Sequence, residues 1–231
     1  MAQQGLSAKA RLQLLLRGVL APVMMFVVLF GLAGRWDYWQ AWVFVALTVL
    51  VLVVMSTVLS PGRELIEERL NPKEGVKGWD KLYMALSAPL YFVALILGGL
   101  DARFGWTRNM PLWFYWVGAV VFLAGNAILL WARYTNRFFS SMVRIQADRG
   151  QTVCNEGPYR IVRHPGYAGG ILMALGMGVV LGSWWACVPQ LLAALLLVWR
   201  TSKEDPTLQA ELPGYKEYTR VTKYRLVPGL W

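Results

Sequence analysis

The chain holds a single histidine, and it stands in a polar run, Gly157-Pro158-Tyr159-Arg160-Ile161-Val162-Arg163-His164-Pro165-Gly166-Tyr167. Pro165 suits an early helical position, where its missing N–H costs nothing, and a helix start turns free N–H groups and a positive dipole end toward an anion. Arg163 and His164 add positive charge at that point. The chemistry such a corner offers is the binding of a carboxylate or phosphate. A plainer explanation, and the one composition alone favours, is a basic stop at the end of a membrane span, with Tyr159 and Tyr167 as interface anchors.

A second cluster follows at Arg200-Thr201-Ser202-Lys203-Glu204-Asp205. On a continuous helix Arg200 and Glu204 lie at i and i+4 on one face. Arginine before glutamate is the poorer order for a helix-stabilising pair, so a surface ion pair accounts for them only weakly. With separate partners, Glu204 would face a cationic or hydroxyl-bearing ligand while Arg200 holds an anionic one. The sequence shows no zinc-ligand spacing, no Gly-rich phosphate loop and no basic-aromatic RNA-binding signature. Cys154 and Cys187 fall near opposite ends of the last helical hairpin, so a disulfide between them is not expected.

Composition dictates what must position these residues. Of the 231 residues 57% are hydrophobic and only 16% are charged, more apolar surface than a soluble domain of this size can bury. Charge-free runs occupy 18–34, 38–62, 82–100 and 109–132, and a fifth run at 165–199 is 35 residues long. A bilayer core takes about 20 helical residues to cross, so the fold class is an all-α integral membrane protein. The fifth run is too long for one span and is expected to break at Gly182-Ser183-Trp184-Trp185, giving about six transmembrane helices of which the last two form a short hairpin. With six spans, 20 of the 23 Lys and Arg residues fall on one side, which the positive-inside rule assigns to the cytosol together with both termini. The net charge of +10 is then a basic face against anionic lipid headgroups, and no nucleic-acid partner is needed to explain it.

The expected organisation has two parts. Residues 1–132 supply four spans, the first a retained helix rather than a cleaved leader, with a cytosolic connector at 61–81 whose 61–70 portion reads as an amphipathic helix on the membrane surface. Residues 133–231 contain a cytosolic loop, the Arg163-His164-Pro165 triplet, the hairpin at 165–199 and an aromatic-basic tail. The tail reads as an interfacial anchor. Trp36, Trp39, Trp79, Trp106, Trp113 and Trp131 sit near span ends as an aromatic belt.

Gly157-Pro158-Tyr159, then Arg163-His164-Pro165-x-Tyr167, then a helical hairpin, Arg200-x-x-x-Glu204 and the tail together resemble the superfamily of isoprenylcysteine carboxyl methyltransferases and phospholipid methyltransferases. The resemblance runs from about Arg133 to the end of the chain. It implies S-adenosylmethionine bound in a pocket formed by the cytosolic loop and the tail, with a lipophilic acceptor, such as a prenylcysteine-like carboxylate, entering from the membrane. On the cofactor side it implies Gln146, Gln151, Thr152, Val153, Cys154, Tyr159, His164, Pro165, Gly166, Tyr167 and Glu204. It gives Arg200 to the acceptor and makes Arg200 and Glu204 the catalytic pair. Asp205 followed by Pro206 departs from the pattern of the relatives, which often have a second Glu without a following Pro, and leaves open how far that helix continues. Methyl transfer from a sulfonium requires neither metal nor covalent nucleophile, only alignment and exclusion of water. The competing class is a membrane transporter or lipid-binding scaffold without enzymatic activity. A transporter would carry ionisable residues inside its spans, and the charge-free runs contain none.

Overall fold

A computed structural model describes residues 8–57 and 75–231. Helix α1 covers Ala8–Ala33, α2 Trp39–Thr57, α3 Gly78–Phe104, α4 Leu112–Thr135, α5 Pro165–Val180, α6 Trp184–Glu211 and α7 Tyr215–Val221, with single 3-10 turns at Ala147–Arg149 and Gly157–Arg160. No strand occurs among the described residues, so the chain is all-α as its composition requires. Helices α2, α3, α4 and α6 are long and apolar enough to cross a membrane, and the apolar part of α1 at Gly18–Ala33 and α5 are shorter. The amphipathic connector expected at 61–70 lies outside the described residues. The end of the expected connector does not: Trp79, Asp80 and Lys81 already belong to α3.

The long apolar run breaks where its residues dictate. Gly182 takes a left-handed φ of +71°, and Ser183 caps α6 by accepting the Ala186 N–H at 3.0 Å. Beyond Trp199 helix α6 runs through Pro206 and continues to Glu211, which answers how far it extends. The penalty of an internal proline, about 3 kcal/mol, is overridden by anchoring of this segment on its buried side, described below.

Helix α5 is set by its glycines. Its face packs along α4 so closely that a Cβ on Gly125 would lie 2.4 Å from the Met173 nitrogen and 2.6 Å from the Gly169 oxygen. Small residues of this kind let two helix backbones meet without a hydrophobic driving force in lipid. The neighbours are backbone and cannot move aside, so Gly125→Val should cost about 3 kcal/mol, the upper end of the overpacking range. Thermal unfolding in detergent reads this directly, and an unchanged midpoint would mean the seam is looser than described. Away from the seam the core gathers Leu29, Phe44, Leu95, Phe122, Met177 and Leu181, with the Tyr38 hydroxyl donating to the Leu181 carbonyl at 2.6 Å. Val19, Leu50, Trp113, Val120 and Leu195 face outward, as lipid-facing positions should.

The helices thereby bring four ends together: the start of α3, the end of α4, the start of α5 and the end of α6. The loop 136–164 and everything after α6 close over this end.

Candidate active site

Asp205 organises the closed end. It is fully buried on α6 and receives Arg163 Nε and Nη2 at 2.7 and 3.0 Å, Gln209 Nε2 at 2.8 Å and Arg225 Nε at 3.1 Å. His164 Nε2 and the Tyr215 hydroxyl each stand 3.3 Å from its Oδ1. Arg163 also donates to the carbonyls of Thr222 and Lys223, and the backbone N–H groups of Arg163 and His164 donate to the carbonyls of Tyr224 and Arg225, both at 2.9 Å. The tail is therefore laced to the start of α5 through the residues the motif singled out. Burial opposes the Arg163 charge, but the hydrogen bond and charge of Asp205 outweigh it and raise the guanidinium above its ordinary value.

Tyr167, on the first turn of α5, joins the two predicted halves of the site. Its ring stacks on His164 with centroids 5.5 Å apart and planes within 7°, and the Arg200 guanidinium lies 5.0 Å from the same ring. Its hydroxyl donates a short hydrogen bond to Glu204 Oε2. Arg200 is itself held at three points: Nε is 2.8 Å from Asp80 Oδ1, Nη2 donates to the Ser141 carbonyl at 3.0 Å, and the guanidinium covers the Tyr83 ring at 4.4 Å. Asp80 is fully buried at the start of α3, and its second oxygen accepts the Val143 N–H at 2.7 Å. The Asp80–Arg200 contact is a close ion pair whose Nε–H is not aimed along a hydrogen bond.

Beside this cluster lies a concave cavity, partly open to solvent. Of the residues named from sequence, Gln146, Gln151, Thr152, Val153, Cys154, Tyr159, His164, Gly166, Tyr167 and Glu204 all border it. Pro165 is buried behind the lining, where it begins α5, and Arg200 stands on the far side of Tyr167. The two glutamines brace the wall. Gln146 donates to the Phe138 carbonyl at 2.8 Å and accepts from Arg149, while its backbone N–H donates to Gln151 Oε1 at 2.6 Å. The wall also includes Phe138, Phe139, Arg144, Leu208, Leu212, Tyr215 and Tyr218.

The electrostatics of the cavity are uneven. Its two arginines are neutralised, Arg163 by Asp205 and Arg144 by Asp148 at 2.8 Å. Glu204 is its one carboxylate among the described residues; it accepts from the Tyr167 hydroxyl and forms no close ion pair, while the Arg200 charge one helical turn away acts on it from behind Tyr167. Burial pushes Tyr159 and Tyr215 above the ordinary tyrosine range and Tyr218 up to about 12, so these phenols stay neutral at physiological pH. Tyr218 uses its proton on the Tyr159 carbonyl at 2.6 Å. The result is a concave, aromatic site with one carboxylate free of any close ion pair, suited to a ligand carrying a cation.

Sequence reasoning missed Asp80 and the organising role of Asp205. Asp80 was legible only as a charge beside a span, because its partner lies on another helix. Asp205 stood out as a departure from a pattern, which was a signal of something particular at that position.

Comparison with known proteins reaches this same region. Residues 113–212 match the family model described as phospholipid methyltransferase. A probable protein-S-isoprenylcysteine O-methyltransferase of Oryza sativa subsp. indica, and one of subsp. japonica, are each 35% identical over 91 residues, which is 38% of this chain and 45% of the relative. The match thus spans less than half the length of these curated relatives. The matched region carries α4, the loop, the His164 corner, the hairpin and the Arg200/Glu204 turn, and over this region the chain is similar to phospholipid methyltransferases and to these probable isoprenylcysteine O-methyltransferases.

Proposed function

We infer that the protein is a membrane-embedded methyltransferase that uses S-adenosylmethionine and acts on a lipophilic acceptor, by preference a prenylcysteine-like carboxylate. The observation that carries this reading is Glu204, a carboxylate without a close ion pair in a tyrosine-lined cavity at the closed end of the bundle. When bound, S-adenosylmethionine supplies an electrophilic methyl on a sulfonium. The chain's own contribution is to place and shield. Glu204 and the faces of Tyr159, Tyr167 and Tyr215 offset a positive charge, and His164 with Gly166 forms the corner at the start of α5. A Cβ on Gly166 would fall 2.4 Å from the Phe139 ring, so a larger residue in this corner would have to push that ring aside. Arg200, braced by Asp80, keeps Nη1 for an acceptor anion, with Tyr167 between it and the cofactor groups.

We further propose that residues 133–231 form the catalytic module, that residues 1–132 form the membrane path of the acceptor, and that both termini and the loop are cytosolic. The direct test is methyl transfer from labelled S-adenosylmethionine to an S-prenylated cysteine with a free carboxylate, with its methyl ester and phosphatidylethanolamine as comparison acceptors. Label on the free acid alone supports the carboxyl reading. Label on the amine lipid alone would move the acceptor class, and label on none would remove the enzymatic reading.

Cys154 reports on the same site. Burial raises its thiol above the ordinary value, so less thiolate is present at neutral pH and maleimide labelling should be slow, accelerating as pH rises. A membrane-impermeant maleimide should reach it only from the cytosolic side, and S-adenosylhomocysteine should slow the labelling further. Labelling from the opposite side would invert the proposed topology.

A further inference from the structure

Arg144, Arg163, Arg200 and Arg225 each hold a carboxylate at the closed end of the bundle. Arg133, in the last turn of α4, holds none among the described residues. Its Nε is buried without a hydrogen-bond partner, its Nη1 reaches only the Met55 sulfur on α2 at 3.7 Å, and its guanidinium lies 6.0 Å from the Phe139 ring. The negative pole at a helix end explains a basic residue in the last turn, but it does not explain burying the guanidinium between a thioether and an aromatic ring. A partly desolvated cation needs an anion, and an arginine fork is built for an oxyanion with two oxygens. The position also says from where that anion comes. Trp131 and Tyr134, two residues before and one after, are exposed on the same helix at the depth of an interfacial belt, and Phe139 separates Arg133 from the cavity.

We propose that Arg133, between the ends of α2 and α4, is an oxyanion site that takes the phosphate or carboxylate of a molecule at the membrane surface. It lies on the lipid side of Phe139 and stands apart from the cofactor groups. This proposal does not depend on methyl transfer, since occupancy can be read without turnover.

The test uses the full-length protein in a neutral detergent and follows thermal stability and native-mass retention with three probes: short-chain phosphatidic acid, the matching diacylglycerol and inorganic phosphate. Phosphatidic acid should stabilise the wild type and be retained, and diacylglycerol should do neither. Arg133→Gln should lose about tenfold in phosphatidic acid affinity, as expected for one charge-assisted contact, with Arg133→Lys recovering part of it. Arg133→Met should be no less stable than the wild type in lipid-free detergent, because it removes an uncompensated charge; a purely structural arginine would show the opposite. A response to phosphatidic acid alone assigns the site to a lipid headgroup. An equal response to inorganic phosphate assigns it to oxyanions in general. Equal phosphatidic acid affinity in the wild type and Arg133→Gln, or a destabilised Arg133→Met, overturns the proposal.

Discussion

Asp205→Asn should loosen the whole closed end of the bundle, costing about 3–5 kcal/mol, the range for removing one partner from a buried charge pair. The substitution keeps the shape of the side chain and removes its charge, so Arg163, which is 8% exposed, is left buried without a counter-ion. The loss spreads because Arg163 also holds the Thr222 and Lys223 carbonyls, and Arg225 reaches the same carboxylate. Thermal unfolding should therefore move down by many degrees, and limited proteolysis should open the segment after α6 before the bundle itself. Gln209→Ala removes one neutral donor to the same oxygen and should have a much smaller effect. An unfolding midpoint for Asp205→Asn equal to that of the wild type would show that the tail is held by its backbone contacts alone.

The second large effect separates the two sides of Tyr167. Glu204→Gln should weaken S-adenosylmethionine binding by about 10- to 100-fold, the weight of one charge-assisted contact. Arg200→Ala should leave cofactor affinity nearly intact and reduce turnover by about a hundredfold or more, since misplacing an acceptor by about 1 Å has that consequence. Asp80→Asn should follow Arg200→Ala rather than Glu204→Gln, because Asp80 touches the arginine on the side away from the cavity. Combining Asp80→Asn with Arg200→Ala should add little to Arg200→Ala alone. Full activity in both Arg200→Ala and Glu204→Gln would remove the pair from the reaction.

How far the sequence reached follows the range of each interaction. The break in the last apolar run was legible because Gly182 and Ser183 act locally, through a positive φ and an N-cap. The corner at His164 and the Arg200/Glu204 turn were legible because a helix start and an i, i+4 spacing are short-range devices. Pro206 left the length of α6 open for the same reason: its local cost was visible, while the contacts that Asp205 on this helix makes with Arg163 and Arg225 come from distant segments. Asp80 shows the limit most plainly. Nothing beside it in the chain marks it, and its meaning comes only from the packing of α3 against α6, which sets its carboxylate against Arg200. The Gly125–Gly169 seam was equally silent, since glycines in an apolar run announce no partner.

The central claim is that the cavity beneath the tail binds S-adenosylmethionine through Glu204 and the tyrosines around it. Isothermal titration of the detergent-solubilised protein with S-adenosylmethionine and with S-adenosylhomocysteine tests it most directly. One site per chain, a matching rise in thermal stability and a loss of affinity for the sulfonium form in Glu204→Gln are the predicted results. No heat and no thermal shift with either ligand, in protein shown to be folded, would contradict it.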